Sequence, residues 1–301
     1  MHPIEVLERY WNYSAFRPLQ EEIIRSVLDN HDTFALLPTG GGKSICFQIP
    51  ALIKPGTCIV ISPLVALMHD QVNSLKQKGI KAMAITAGLS YTDLDTQLDN
   101  CIYGNYKFLY LSPERLQQTI VQERVLQMHV NLIAVDEAHC ISQWGNDFRP
   151  AYKTISKLRE RQPTVCCIAL TATAKAIVVN DTIDSLDFID AKVFKGSFMR
   201  KNISYQVINT EDKNYHLETI LKQYKGASII YTRSRKATIT ISDYLISKGF
   251  EATFYHGGLT NIQKTERLQL WTYNQKPIMV ATTAFGMGID KADVKSIIHY
   301  N

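Results

Sequence analysis

No stretch of this chain is apolar over the roughly 18 residues needed to cross a bilayer, and no leader with charged, apolar and small-residue regions opens it. A membrane partner is therefore not expected. The six cysteines, Cys46, Cys58, Cys101, Cys140, Cys166 and Cys167, never fall at C-x-x-C spacing, which argues against a zinc site. Most lie in apolar, strand-like runs and read as reduced core thiols of a cytosolic protein. Low-complexity tracts and short-period repeats are also absent, which removes fibrous and solenoid architectures. Neither sign of charge dominates: 33 basic residues stand against 28 acidic, a small net of +5. That excess lies wholly in the C-terminal third, because residues 1–199 carry a net of −1 and residues 200–301 a net of +6. Such a bias is a solvated surface or a face for a polyanion. What remains is ordinary globular composition, 46% hydrophobic and 20% charged, over 301 residues, a length that suits about two domains.

Short apolar runs alternate with longer stretches of helical periodicity. The runs Thr33–Leu37, Cys58–Ser62, Ala82–Thr86, Phe108–Ser112, Leu132–Val135 and Val165–Leu170 predict strands, and Pro63–Gly79 and Leu116–His129 predict helices. The alternation restarts after about residue 200, with strands near Ser228–Thr232, Ala252–Tyr255, Ile278–Ala281 and Ser296–Tyr300. This is the pattern of parallel sheets covered by helices on both faces. The expectation is two α/β domains in series, 1–199 and 200–301, joined by a linker near residues 195–202.

Two segments carry chemistry. Leu36-Leu37-Pro38-Thr39-Gly40-Gly41-Gly42-Lys43-Ser44 follows a buried strand and opens a helix. Glycines let successive N–H groups turn toward one phosphate, and the helix N-terminus adds its positive end. Lys43 can then reach the β- and γ-phosphates and Ser44 can ligate Mg²⁺. Position 37, where the general pattern has glycine, is Leu37. The second segment is the strand Leu132–Val135, which runs into Asp136-Glu137-Ala138-His139. A carboxylate at that strand tip, Asp136, suits Mg²⁺, and its neighbour Glu137 suits an attacking water. Together they predict hydrolysis of a nucleoside triphosphate, with ATP and Mg²⁺ as cofactors.

The order T-G-G-G-K-S, D-E-A-H and Ala169-Leu170-Thr171-Ala172-Thr173-Ala174 resembles a superfamily 2 helicase core. The block from Ala138 to Pro150, with Gln143-Trp144-Gly145-Asn146-Asp147-Phe148-Arg149 at its centre, is similar to the aromatic-rich loop of the RecQ family of DNA helicases. The resemblance runs from Phe16-Arg17-Pro18-Leu19-Gln20 to Phe285-Gly286-Met287-Gly288-Ile289-Asp290. It implies two tandem RecA-like domains, the second incomplete, and an ATP-dependent helicase moving 3′→5′ on DNA in recombination and repair. By the same resemblance Lys43, Asp136, Glu137 and His139 are catalytic, and Thr39, Gly40, Gly41, Gly42 and Ser44 cradle the nucleotide. Tyr13, Arg17 and Gln20 match the adenine pocket, and Asp290 contacts ribose or an inter-domain partner.

Loops after the strands supply the expected DNA contacts: Ser62 and Pro63, then Arg115 in Ser112-Pro113-Glu114-Arg115, and Ser234 and Arg235 in the second domain. Trp144, Phe148 and Arg149 form the loop expected to stack on bases and to couple DNA to hydrolysis. Aromatics four apart can also be core residues, but polar and glycine neighbours argue for an exposed loop. The partners implied are single-stranded and forked DNA and single-strand-binding or repair proteins. The expected state is a monomer in the bacterial cytoplasm, at the nucleoid. In the resembling family a Gln…Gly-Arg-x-Gly-Arg motif, a zinc module and a winged helix follow position 301, so the chain is expected to be a truncated core that hydrolyses slowly and unwinds poorly. Two other readings stay open: an RNA-directed helicase of the same superfamily, and a nucleotide-gated binding module without turnover.

Overall fold

The chain divides into two units, Met1–Lys201 and Asn202–Asn301. The structure, a computed structural model, describes every residue except 87, 146, 200, 201, 287–290 and 301, and leaves the side chain of residue 261 aside. The first unit runs α1 (Pro3–Trp11), α2 (Gln20–Leu28), β1 (Thr33–Leu36), α3 (Lys43–Ile53), β2 (Thr57–Ile61), α4 (Val65–Gln77), β3 (Ala82–Ile85), α5 (Tyr91–Tyr103) and β4 (Phe108–Leu111). It continues with α6 (Pro113–Leu116), α7 (Thr119–Leu126), β5 (Val130–Val135), α8 (Thr154–Arg161), β6 (Cys167–Thr171), α9 (Ala176–Ser185) and β7 (Lys192–Lys195). Its seven strands form one sheet in the order β3-β4-β2-β5-β6-β1-β7, and every pairing is parallel.

Alternate residues of each central strand enter two different cores. Phe34, Leu36, Ile59, Ile61, Ile133, Val135 and Ala169 pack on one face. Their neighbours Ala35, Cys58, Val60, Leu132, Ala134, Ile168 and Leu170 pack on the other. A strand buried on both faces reads as a continuous apolar run, which is why these strands stand out in the sequence. Strand β7 does not: Lys192-Val193-Phe194-Lys195 alternates between half-buried and exposed at the sheet edge, and sequence analysis passes it over. The expected helix Leu116–His129 is α7, shorter at both ends, and Leu116 closes the separate turn of α6 before it. Ser112 caps α6 through the Arg115 N–H, Pro113 fills the first turn, and α7 begins only at Thr119.

At the opposite edge from the phosphate loop, Asp32 ties three strands together. Its carboxylate takes a fork of two bonds from the Arg159 guanidinium, at 3.0 and 2.6 Å. It also accepts the N–H groups of Cys167 at 2.9 Å and Ile189 at 3.2 Å.

The second unit contains α10 (Lys213–Gln223), β8 (Ala227–Tyr231), α11 (Arg235–Ser247), β9 (Ala252–Tyr255), α12 (Asn261–Thr272), β10 (Ile278–Ala281) and β11 (Val294–His299). Its four parallel strands are ordered β11-β8-β10-β9. Ile230 and Val280 pack against Leu217, Leu221, Ile241 and Leu245 on one face. Ile229 and Met279 pack with Trp271 and Phe285 on the other. Each unit is thus a RecA-like α/β layer. Among the described residues no helix is long and apolar enough to cross a membrane.

Removing one partner of a buried, hydrogen-bonded ion pair leaves a charge without compensation. Asp32→Ala is expected to cost about 3–5 kcal/mol of stability in urea unfolding of the first unit; a loss under about 1 kcal/mol contradicts the anchoring role.

Candidate nucleotide and nucleic-acid site

Strands β1, β6 and β5 are neighbours, so the loops leaving their carboxyl ends meet at one edge of the sheet. After β1 the Leu37 N–H still bonds Thr171 O at 3.1 Å, and the loop then turns, with Gly41 N–H on Pro38 O at 2.9 Å. Gly42 caps α3 with φ +76°, and a Cβ there would stand 2.3 Å from the Gln20 amide nitrogen. Both facts demand glycine. With no side chain on that cap, the first-turn amides of α3 remain available to an anion.

Asp136 and Glu137 lie at the end of β5, where the Asp136 N–H bonds Ile61 O at 2.8 Å. Burial, with the Glu137 charge adding to it, pushes the Asp136 carboxyl up to about 6, against the pull of Lys43, the Glu137 N–H and Ser62. Glu137 has φ 47° and ψ 46°, the left-handed region that costs a side-chain-bearing residue about 1–3 kcal/mol. Burial raises its carboxyl, but the His139 hydrogen bond and the Lys43 charge outweigh that and leave it below the ordinary range. Glu137 is therefore ionised at neutral pH. His139 Nδ1 lies 3.3 Å from Glu137 Oε2 and 2.8 Å from Thr171 Oγ1. Its imidazole is raised to about 10 by the Cys140 thiol and by Glu137, so it is a cation at neutral pH. These distances and charge effects bring Lys43, Asp136, Glu137 and His139 to one place.

Other expected site residues fall differently. Gln20 is 2% exposed, and its amide bonds within the chain: Nε2 donates to Gly42 O at 3.1 Å and Gly41 O at 3.3 Å, while Oε1 accepts the Arg17 N–H at 2.9 Å. Arg17 itself donates to Gly40 O. Both residues, expected at adenine, brace the phosphate loop here, while Tyr13 is half exposed beyond α1. Ser62, expected at a DNA phosphate, is 2% exposed and donates to Asp136 Oδ2 at 3.3 Å. Ser62 thus supports the carboxylate. Arg115 is 8% exposed, and its guanidinium donates to Thr86 O at 2.7 and 2.9 Å and to Gln118 Oε1 at 3.0 Å.

The aromatic loop leaves Trp144 68% exposed, with its N–H on Ser142 Oγ. Phe148 is half buried under the Lys153 ammonium, and Arg149 donates to Pro63 O at 3.3 Å. In the second unit Ser234 caps α11 through the Ala237 N–H, and the exposed Arg235 lies along Gly258. Asp290 lies outside the described residues. Sequence reasoning did not find Thr171 or Tyr152 as neighbours of the acids, although the T-A-T segment containing Thr171 was a visible signal. Among the described residues no three His, Cys, Asp or Glu side chains form a metal cage. Mg²⁺ beside a nucleotide asks for less: one carboxylate, a hydroxyl and phosphate oxygens. A buried carboxylate raised by desolvation, facing a lysine and a glycine-rich turn, fits that donor set.

Two RecA-like units, the first with a phosphate loop and an acidic pair at one sheet edge, have the layout of a helicase core. Residues 17–182 match the DEAD/DEAH box helicase family and residues 212–301 the helicase conserved C-terminal domain. The chain belongs to the DEAD/DEAH box helicases. It is 41% identical over 298 residues to ATP-dependent DNA helicase RecQ of Bacillus subtilis, covering 98% of this chain and 50% of that protein. It is 38% identical over 299 residues to the RecQ helicase of Pasteurella multocida, covering 99% and 47%. The chain thus spans about half the length of these curated relatives. Among solved structures, S. cerevisiae Dbp5 bound to RNA and ADP BeF3 superposes with a TM-score of 0.71 at 16% identity, over 100% of this chain and 78% of that one, a likeness of fold.

Arg115→Met is expected to lose about 1–3 kcal/mol of stability, because Thr86 O and Gln118 Oε1 lose the donor that a buried guanidinium gives them. Its affinity for a single-stranded oligonucleotide, read by fluorescence anisotropy, is expected to stay within about twofold of the parent, a difference under 1 kcal/mol.

Proposed function

We propose that this chain is the motor core of an ATP-dependent DNA helicase of the RecQ type, coupling ATP hydrolysis to 3′→5′ movement on single-stranded DNA in recombination and repair. The observation that carries the reading is the convergence of Lys43, Asp136, Glu137 and His139 at the carboxyl edge of β1, β6 and β5. Direction and biological setting follow from the resemblance to RecQ helicases.

The amides at the start of α3 and the Lys43 ammonium bind and orient the β- and γ-phosphates. Asp136 and Ser44 would hold Mg²⁺, which would neutralise charge on the phosphate oxygens. Glu137, kept ionised by His139 and Lys43, orients the attacking water and accepts its proton at a carboxylate oxygen. His139, a cation between Glu137 and Thr171, fixes the carboxylate's direction. Trp144 offers an exposed ring for stacking on a base, worth about 1–3 kcal/mol per base and indifferent to sequence.

ATP hydrolysis by the 301-residue chain, with and without single-stranded DNA and with single-stranded RNA as comparison, tests this reading. Turnover is expected to be slow, stimulated by DNA more than by RNA, and abolished in Lys43→Ala. No turnover above that variant overturns the reading, and preferential RNA stimulation shifts the substrate class.

Trp144→Ala is expected to keep ATP affinity but to lose most of the DNA stimulation. Equal stimulation in variant and parent removes the loop from the coupling.

A further inference from the structure

Tyr152 is a fully buried tyrosine that the chemistry above leaves unused. It stands in the 3-10 turn Pro150–Lys153, directly after the aromatic loop, with its N–H on Arg149 O at 3.0 Å. Its hydroxyl donates to the carbonyl oxygen of Asp136 at 3.0 Å. The accepting carbonyl belongs to the peptide that joins Asp136 to Glu137. Turning that peptide plane changes φ of Glu137, the residue held at φ 47° and ψ 46°. Other bonds around the turn join Asp136 N–H to Ile61 O at 2.8 Å, Glu137 N–H to Asp136 Oδ1 at 3.0 Å and Cys140 N–H to Glu137 O at 2.9 Å. None of them grips the Asp136 carbonyl.

We propose that Tyr152 is a positioning residue that holds the Asp136–Glu137 peptide in the plane aiming Glu137 at its water, and that it carries displacement of the aromatic loop to that peptide. The physical basis is a two-ended part. One end is bonded to Arg149, which in turn donates to Pro63 O at 3.3 Å. The other end grips a strained backbone that has no reason to keep its conformation alone. A ring fully packed in the core transmits a shift of the turn instead of absorbing it. The inference rests on the reading of Glu137 as the group that activates water.

The test is single-turnover ATP hydrolysis, with protein in excess over ATP–Mg²⁺ so that slow rates are readable, for the parent, Tyr152→Phe, Glu137→Gln and the double variant. Binding of a fluorescent ATP analogue and the melting temperature are measured on each. Tyr152→Phe keeps the ring and removes the hydroxyl. It is expected to slow hydrolysis about five- to tenfold, the scale of losing one hydrogen bond, with analogue affinity unchanged. The double variant is expected to be no slower than Glu137→Gln, because groups that act as one unit are not additive. A Tyr152→Phe rate within about twofold of the parent, a lowered melting temperature with normal turnover, or effects that multiply in the double variant each overturn the inference. Normal turnover in Glu137→Gln overturns instead the reading beneath it, and the inference falls with that reading.

Discussion

The adjacency of three parallel strands governs this molecule. Strands β1, β6 and β5 lie side by side with both faces buried, Leu36 opposite Thr171 and Val135 opposite Ala169. Parallel pairing sends their carboxyl ends to one edge, where open α/β sheets gather ligands. The phosphate loop, the T-A-T segment and the acidic pair are far apart in the chain, and this register brings them within hydrogen-bond reach. Asp32 and Arg159 secure β1, β6 and the start of β7 at the opposite edge, so two of the three strands are held at both ends.

Around that edge the chain holds charges in tension. A carboxylate raised by burial, another lowered by a cationic histidine, and a lysine that favours ionisation of both share a small space. Isolated buried charges are costly, and a site that leaves Asp136 only partly compensated is arranged for a ligand bearing its own cation and anion. The backbone carries tension too, in the left-handed Glu137. Strain of this kind persists only when neighbours over-determine it, and Tyr152 and Cys140 are those neighbours.

Most of the fold was legible because doubly buried strands write themselves as apolar runs. The ten strands read from the sequence correspond to β1 to β6 and β8 to β11, with ends differing by at most two residues. Strand β7 escaped because an edge strand with lysines at both ends lacks that signal. The short helix α6 escaped because its four residues carry too little periodicity to read. In the site, the glycine-rich turn and the acidic pair were legible as local patterns. For Ser62 and Arg115 residue type suggested phosphate contacts, and the partners that sequence did not show are Asp136 for Ser62 and Thr86 for Arg115.

The sequence by itself determined the class of chemistry. Lys43 and Ser44 after glycines, Asp136 and Glu137 after a strand, and an aromatic loop beyond them are local patterns whose meaning does not depend on distant contacts. It also determined the alternation that makes parallel sheets, since periodicity is written residue by residue. Only the tertiary structure decided which side chains meet: Gln20 under Gly42, Ser62 and the Tyr152 hydroxyl on Asp136, His139 between Glu137 and Thr171. Those contacts join residues on separate strands and turns, and sequence spacing holds no record of strand order or of which way a buried hydroxyl points.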